Sequence, residues 1–195
     1  MILIRYCGGL GNQMFQYAFQ TAIQEKYKGI SVKADLSHYI LNHEHNGFEL
    51  EKFFQIRLQE AERKEIKKYS PYYMPSAEVL MMPKAIRNFV TERYQYRYTE
   101  QKKKKNPESF YRQEYHSSFE PKVFDLDRNK DWYLDGLWQN LRYLDGYEEK
   151  VRKAFTFHNE ELYTAQDREW KEQIEKRNSV GIHIRRGDFV NSKFD

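Results

Sequence analysis

Two short stretches near opposite ends of the chain carry the residue types that could do chemistry. The first is "CGGLGNQMFQYA", Cys7 to Ala18, where glycines lead into amide side chains. Gly9 and Gly11 let a ligand approach the backbone, and a helix amino end there offers N–H groups without intrahelical acceptors. Asn12 and Gln13 add amides that both donate and accept, which suits hydroxyl-rich ligands as well as phosphates. The turn lacks the lysine and hydroxyl residue of a P-loop. It also fails the dinucleotide fingerprint, because the third small position is occupied by Met14. The competing reading is a tight strand–helix corner in which Asn12 simply caps the helix.

The second stretch is "HIRRGD", His183 to Asp188. Two adjacent arginines at the carboxyl end of a strand lie where ligands bind in open α/β sheets. The period of two puts His183 and Arg185 on one face and leaves Arg186 for a carboxylate such as Asp188. A guanidinium grips phosphate bidentately and opposes charge developing on a leaving diphosphate. The competing reading is a structural arginine–aspartate pair at a turn. His38, His43, Glu44 and His45 lack the H-E-x-x-H spacing, so no metal site is expected from them.

The elements that must position these stretches follow from periodicity. Residues 2–7 read as a strand, Gly8 to Gly11 as the turn, and Gln13 to Tyr27 as a helix. Phe15, Ala18, Phe19, Ala22 and Ile23 form its apolar face. Gly29 stops it, and Ile30 to Asp35 alternates as a second strand, completing a βαβ unit. Prolines punctuate the middle, with helices expected over 59–69 and 84–95 and an exposed loop over 99–109. Trp132 to Trp138 reads as strand then turn, and Tyr147–Phe155 and Glu160–Lys176 as helices. Ser179 to Ile184 is a buried-strand run that should open a second βαβ series. The expected organisation is therefore a domain over 1–175 and the start of another over 176–195.

At 195 residues, 39% of them hydrophobic, the chain can bury a sizeable core. One cysteine, Cys7, fits a reducing compartment, and the chain reads as cytoplasmic. The mean hydropathy is −0.97, with no apolar run long enough for a bilayer. Much of the net charge of +4 sits in Lys102–Lys105, with Lys67 and Lys68 upstream. That run reads as a solvated loop. No nucleic-acid partner is expected, and peripheral contact with the inner face of a membrane is left open.

Three segments together carry a family resemblance. "GGLGNQMFQYAFQTAI" at 8–23, "LDGLWQNLRYL" at 134–144 and "SVGIHIRRGDFV" at 179–190 resemble the bacterial α-1,2-fucosyltransferases of glycosyltransferase family 11. The middle segment departs from the family's D-G-Y-W-Q-S pattern at Leu137 and Asn140. The resemblance implies a GT-B fold of two facing Rossmann-like halves. Residues 1–175 would be the acceptor side and 176–195 the start of the GDP-fucose-binding half, whose other strands family members carry further on. The implied reaction moves fucose from GDP-β-L-fucose to the 2-hydroxyl of a galactoside with inversion, and it needs no metal or cofactor. The resemblance puts Arg185 on the diphosphate, His183 against the nucleotide, and Arg186 and Asp188 behind the loop. Asn12 would lie near the fucose or acceptor, and Asp188 is the candidate base by proximity. Two alternatives stand beside this. One is a non-catalytic fragment that binds sugar or nucleotide weakly, and the other is a nucleic-acid or membrane-surface protein working through Lys102–Lys105.

Overall fold

The computed structural model describes residues 1–41, 46–72, 77–90, 107–157, 161 and 163–182. The chain divides into two compact units, Met1–His158 and Asn159–Asp195.

The first unit is built on four parallel strands, β1 (Ile2–Arg5), β2 (Val32–Asp35), β3 (Phe110–Arg112) and β4 (Trp132–Asp135), in the order β2-β1-β4-β3. Strand alternation gives the sheet two different faces. Ile2, Ile4, Val32, Ala34, Tyr111 and Leu134 face the main core, where they pack with Phe19 and Ile23 of α1 (Leu10–Lys26). Leu3, Arg5, Lys33, Asp35, Tyr133, Asp135 and Arg112 share the other face by register. Short α2 (His38–Leu41) and α3 (Leu50–Phe53) follow β2. The second face carries α4 (Arg63–Tyr69), tied down by Lys33 to Glu65 at 2.6 Å and by the Ser70 hydroxyl to Tyr133 at 3.1 Å.

The core is aromatic. Trp138 stacks on Phe19 at 3.9 Å between centroids, and Tyr143 meets both edge-on. The Tyr27 hydroxyl donates to the Val123 carbonyl and accepts from the Leu126 N–H, pinning the end of α1 to the loop before β4. That loop holds the short 3-10 turn Pro121–Phe124.

Several sequence expectations shift. The first helix starts at Leu10, three residues before the expected Gln13, and its N-cap is Gly9 with no side-chain cap. Asn12 therefore sits inside the first turn and is not the cap. Over 59–69 only Arg63–Tyr69 is helical. The residues before it run beside β2, with Ala34 N–H donating to the Gln59 carbonyl and Ala61 N–H to that of Ala34. Glu65 accepts from the Glu62 N–H and sets the start, and Pro71 follows the end, where the residue before proline avoids helix. Of the expected helix 84–95, residues 84–90 (α6) are helical behind α5 (Ala77–Leu80), and the rest lies outside the described residues. β3 is a strand that local alternation does not announce. α7 (Glu148–Ala154) closes the first unit.

In the second unit α8 (Ala165–Glu175) starts at a Thr164–Asp167 capping box. Residues 179–182 do not form the expected buried strand, and Val180 and Ile182 are exposed at 89% and 83%. A parallel strand needs neighbours for its N–H and C=O groups, and the described residues of this unit supply no other strand. No described helix is long and apolar enough to cross a membrane.

Burial raises the hydroxyl pKa of Tyr6 and of Tyr133, the latter helped by the Asp35 carboxylate, and both lie well above the ordinary value. Burial also raises Tyr39 and Tyr72. Unfolded tyrosines release protons near pH 10, while these native ones keep theirs. Above that pH the unfolded state binds fewer protons, so stability falls as pH rises. Thermal melts from pH 8 to 11 should show stability flat to about pH 9.5 and then falling steeply. The phenolate absorbance of the buried tyrosines should appear only with unfolding, and phenolate signal in the folded protein at pH 10.5 contradicts this.

Candidate functional site

β1 connects onward to β2 on one side and pairs with β4 on the other. The crevice at the carboxyl ends of β1 and β4 is therefore the switch point at which open α/β sheets take ligands. The last residues of all four strands fall in one register row on one face: Asp35, Arg5, Asp135 and Arg112. Charge alternates along it.

The centre of the row is a largely buried ion pair. Arg5 Nη1 lies 3.0 Å from Asp135 Oδ1, with side-chain exposures of 19% and 5%. Burial pulls the guanidinium pKa down, but the charge of Asp135, joined by smaller contributions from Cys7, Tyr72 and Tyr133, reverses this, and the net direction is up. Arg112, more than half exposed, reaches the second oxygen of Asp135 at 3.3 Å. The Tyr72 hydroxyl donates to the same oxygen at 2.5 Å, and its ring lies under the Arg5 guanidinium at 4.1 Å. Arg5 Nη2 is 3.3 Å from His38 Nδ1. Arginine can only donate, so Nδ1 is the acceptor and the His38 ring proton sits on Nε2. Asp35 accepts from the Tyr133 hydroxyl at 2.6 Å and the Ser37 N–H at 2.9 Å.

The glycine turn lies beside this row, immediately after β1. Gly8 adopts φ +78°, and a Cβ there would come within 2.2 Å of the Asn12 side chain, so glycine is required structurally. Gly11 differs: it is exposed in the first turn of α1, and a Cβ would meet nothing within 4 Å. Gly9, the N-cap, has an ordinary φ of −76°. Asn12 is half-buried and accepts from Gln139 Nε2 at 2.7 Å.

The Gln13 side chain is engaged within the protein. It is fully buried, donates to the carbonyls of Gly8 and Gly47, and accepts from the Glu49 N–H. Gln16, three residues on, links the loops across the switch point by accepting from the Cys7 N–H and donating to the Gly136 carbonyl. Cys7 is half-buried, and burial pushes its thiol pKa up. His183, Arg185, Arg186 and Asp188 lie outside the described residues, as do His43, Glu44, His45 and Lys102–Lys105. Among the described residues no cluster of potential metal ligands forms.

Trp138, just past β4, holds φ +56°, a strained setting for a bulky residue. The strain is held by the buried Gln113, whose Oε1 accepts from both the Leu137 and Trp138 N–H groups. The Trp138 indole N–H is buried without a partner among the described residues. Sequence reasoning missed Arg5, Tyr72, Arg112 and Asp135 as a cluster. A lone arginine closing an apolar strand was the available signal.

Two substitutions test this anatomy. Asp135→Asn leaves Arg5 buried without its counter-charge and should cost about 3–5 kcal/mol in urea unfolding. Gly8→Ala should destabilise through its left-handed backbone, whereas Gly11→Ala should be neutral or stabilising by up to about 1 kcal/mol, as alanine favours helix. Equal destabilisation by the two alanines contradicts the distinction.

Comparison with known proteins places the chain. The sequence model of "Glycosyl transferase family 11" matches residues 1–194. A protein from Escherichia coli described as "Alpha-1,2-colitosyltransferase" is 30% identical over 193 residues, which is 98% of this chain and 56% of that relative. The chain thus spans little more than half the length of the curated relative it matches. No solved structure matches it. With its sequence matched to the family model from end to end, this chain belongs to glycosyl transferase family 11.

Proposed function

We propose that this chain is the acceptor-side part, with the opening of the donor-side part, of a GT-B galactoside α-1,2-fucosyltransferase. It transfers fucose from GDP-β-L-fucose to the 2-hydroxyl of a galactoside with inversion. The observation that carries the reading is the open first turn of α1 at Gly11 and Asn12, beside the charged row at the switch point of a parallel sheet, in a family 11 chain. Gly9 and Gly11 let the sugar approach the backbone, and Asn12 meets its hydroxyls.

An inverting displacement develops positive charge on the sugar and negative charge on the departing GDP. In this proposal Arg185 opposes the diphosphate charge as a metal would elsewhere, so no metal is needed. His183 lies against the nucleotide, Arg186 and Asp188 hold the loop, and Asp188 takes the acceptor's proton. The single thiol supports a cytoplasmic setting. The relative's description favours a second reading in which the transferred sugar is colitose. The non-catalytic fragment differs from both by turnover alone.

Calorimetric titration with GDP, against UDP, is the test. Selective GDP binding should weaken about tenfold or more in Arg185→Ala, the worth of a charge-assisted hydrogen bond. Transfer to a galactoside should persist in EDTA, and comparing GDP-fucose with GDP-colitose assigns the sugar. A folded chain that binds no GDP and transfers neither sugar overturns the enzymatic reading.

A further inference from the structure

The loop after β3, residues 113–120, is braced far more heavily than an exposed connection needs. Gln113, 4% exposed, donates from its backbone N–H to the Asp135 carbonyl and from its side chain to the Ser118 carbonyl. Glu120 Oε1 accepts from the Glu114 N–H and the Ser118 hydroxyl, and its other oxygen accepts from Tyr111. The Gln139 N–H donates to the His116 carbonyl, and the Asn140 side chain donates to that of Ser117. The Ser118 N–H donates to the Tyr115 carbonyl.

This bracing presents the ring of Tyr115. Tyr115 is 67% exposed, and no described residue makes a hydrogen bond or ring contact with its side chain. It stands three residues past Arg112, so its Cα lies within about 11 Å of the charged row's end, the limit of an extended chain. A large aromatic held by its backbone loses little freedom on binding and offers an apolar face under a polar tip.

The ring also has suitable neighbours. Gln139 ties the loop to Asn12 through its side chain and to His116 through its backbone. The Asn12–Gln139 bond leaves Asn12 Nδ2, a donor, and Gln139 Oε1, an acceptor, with no partner among the described residues. Leu141, 69% exposed, stands two residues beyond Gln139. Tyr115 thus adjoins, through His116, the residue that bonds Asn12, and an aromatic face together with an amide donor and acceptor matches a pyranose ring, with its C–H face and its rim of hydroxyls.

We propose that Tyr115 is a stacking platform for the pyranose ring of the acceptor, with Asn12 and Gln139 meeting its hydroxyls. This assignment of the ligand as acceptor rests on the glycosyltransferase reading, and the platform makes Tyr115 a specificity-determining residue.

The test is saturation-transfer NMR on the full chain titrated with methyl β-D-galactopyranoside, in wild type, Tyr115→Phe and Tyr115→Ala. Saturation should concentrate on the C–H groups of one ring face. Phenylalanine should keep affinity within about twofold, and alanine should weaken it about fivefold or more, the range for loss of one aromatic contact. Both variants should melt as wild type does, since the side chain is exposed. Unchanged affinity in Tyr115→Ala, no glycoside binding by the folded wild type, or a Tyr115 ring perturbed by GDP instead of the glycoside each overturns the proposal. A chain that binds the glycoside through Tyr115 but neither binds GDP nor transfers sugar keeps the platform and loses the enzymatic reading. Transfer with an unaltered acceptor KM in Tyr115→Ala removes the platform alone.

Discussion

A guanidinium buried where two strands end is the constraint around which the first unit is arranged. Arg5 closes a strand whose other residues are almost wholly buried, so its charge has little water to stabilise it. Asp135 must stand opposite, which it does only if β1 and β4 keep the observed register. A slip of one residue would send Arg5 toward the apolar core and Ile4 toward the charged face. The ring of Tyr72, the Nδ1 lone pair of His38 and the outer cation of Arg112 complete the shell. One ion pair thereby specifies strand order, register and the position of three further side chains.

Side-chain amides extend that constraint into the loops. Strands that stop leave backbone groups without ladder partners, and buried groups of that kind need acceptors and donors nearby. Gln13, Gln16 and Gln20 lie fully or almost fully buried along α1. They satisfy the backbone of Gly8, Gly47, Glu49, Cys7 and Gly136 and the Tyr6 hydroxyl. Gln113 does the same for Leu137 and Trp138. An amide suits this because one side chain supplies a donor and an acceptor a short distance apart. The resemblance segment at 8–23 is thus largely scaffold, its buried glutamines serving the loops.

Local signals explain what the sequence revealed. The 3.6-residue spacing of Phe15, Ala18, Phe19, Ala22 and Ile23 and the alternation ending at Asp35 depend on neighbours in the chain, so the βαβ unit was legible. The start of α1 was misplaced because Gly9 and Gly11 read as a turn, while the buried bonds of Gln13 and Gln16 hold that turn helical against glycine's poor propensity. The charged row was invisible, because nothing local links Arg5 to a carboxylate 130 residues away. β3 was missed for the same reason, since its short run gains strand character only from pairing with β4. The run at 179–184 misled in the opposite sense. Its apolar alternation is that of a strand, yet residues 179–182 pair with no strand among the described residues.

The row's own hydrogen bonds limit the chemistry it can contribute. Asp135 receives Arg5 on one oxygen and Tyr72 with Arg112 on the other. Asp35 receives Tyr133 and Ser37. His38 directs its lone pair at Arg5. A general base needs a lone pair that can meet the acceptor's hydroxyl, and the Asp135 Oδ2 and His38 Nδ1 lone pairs are engaged in holding the sheet edge together. In the proposed transfer the proton acceptor lies outside the row, at Asp188. In that proposal, division of labour between a rigid sheet edge and a separate base lets the first unit be stiff where geometry matters.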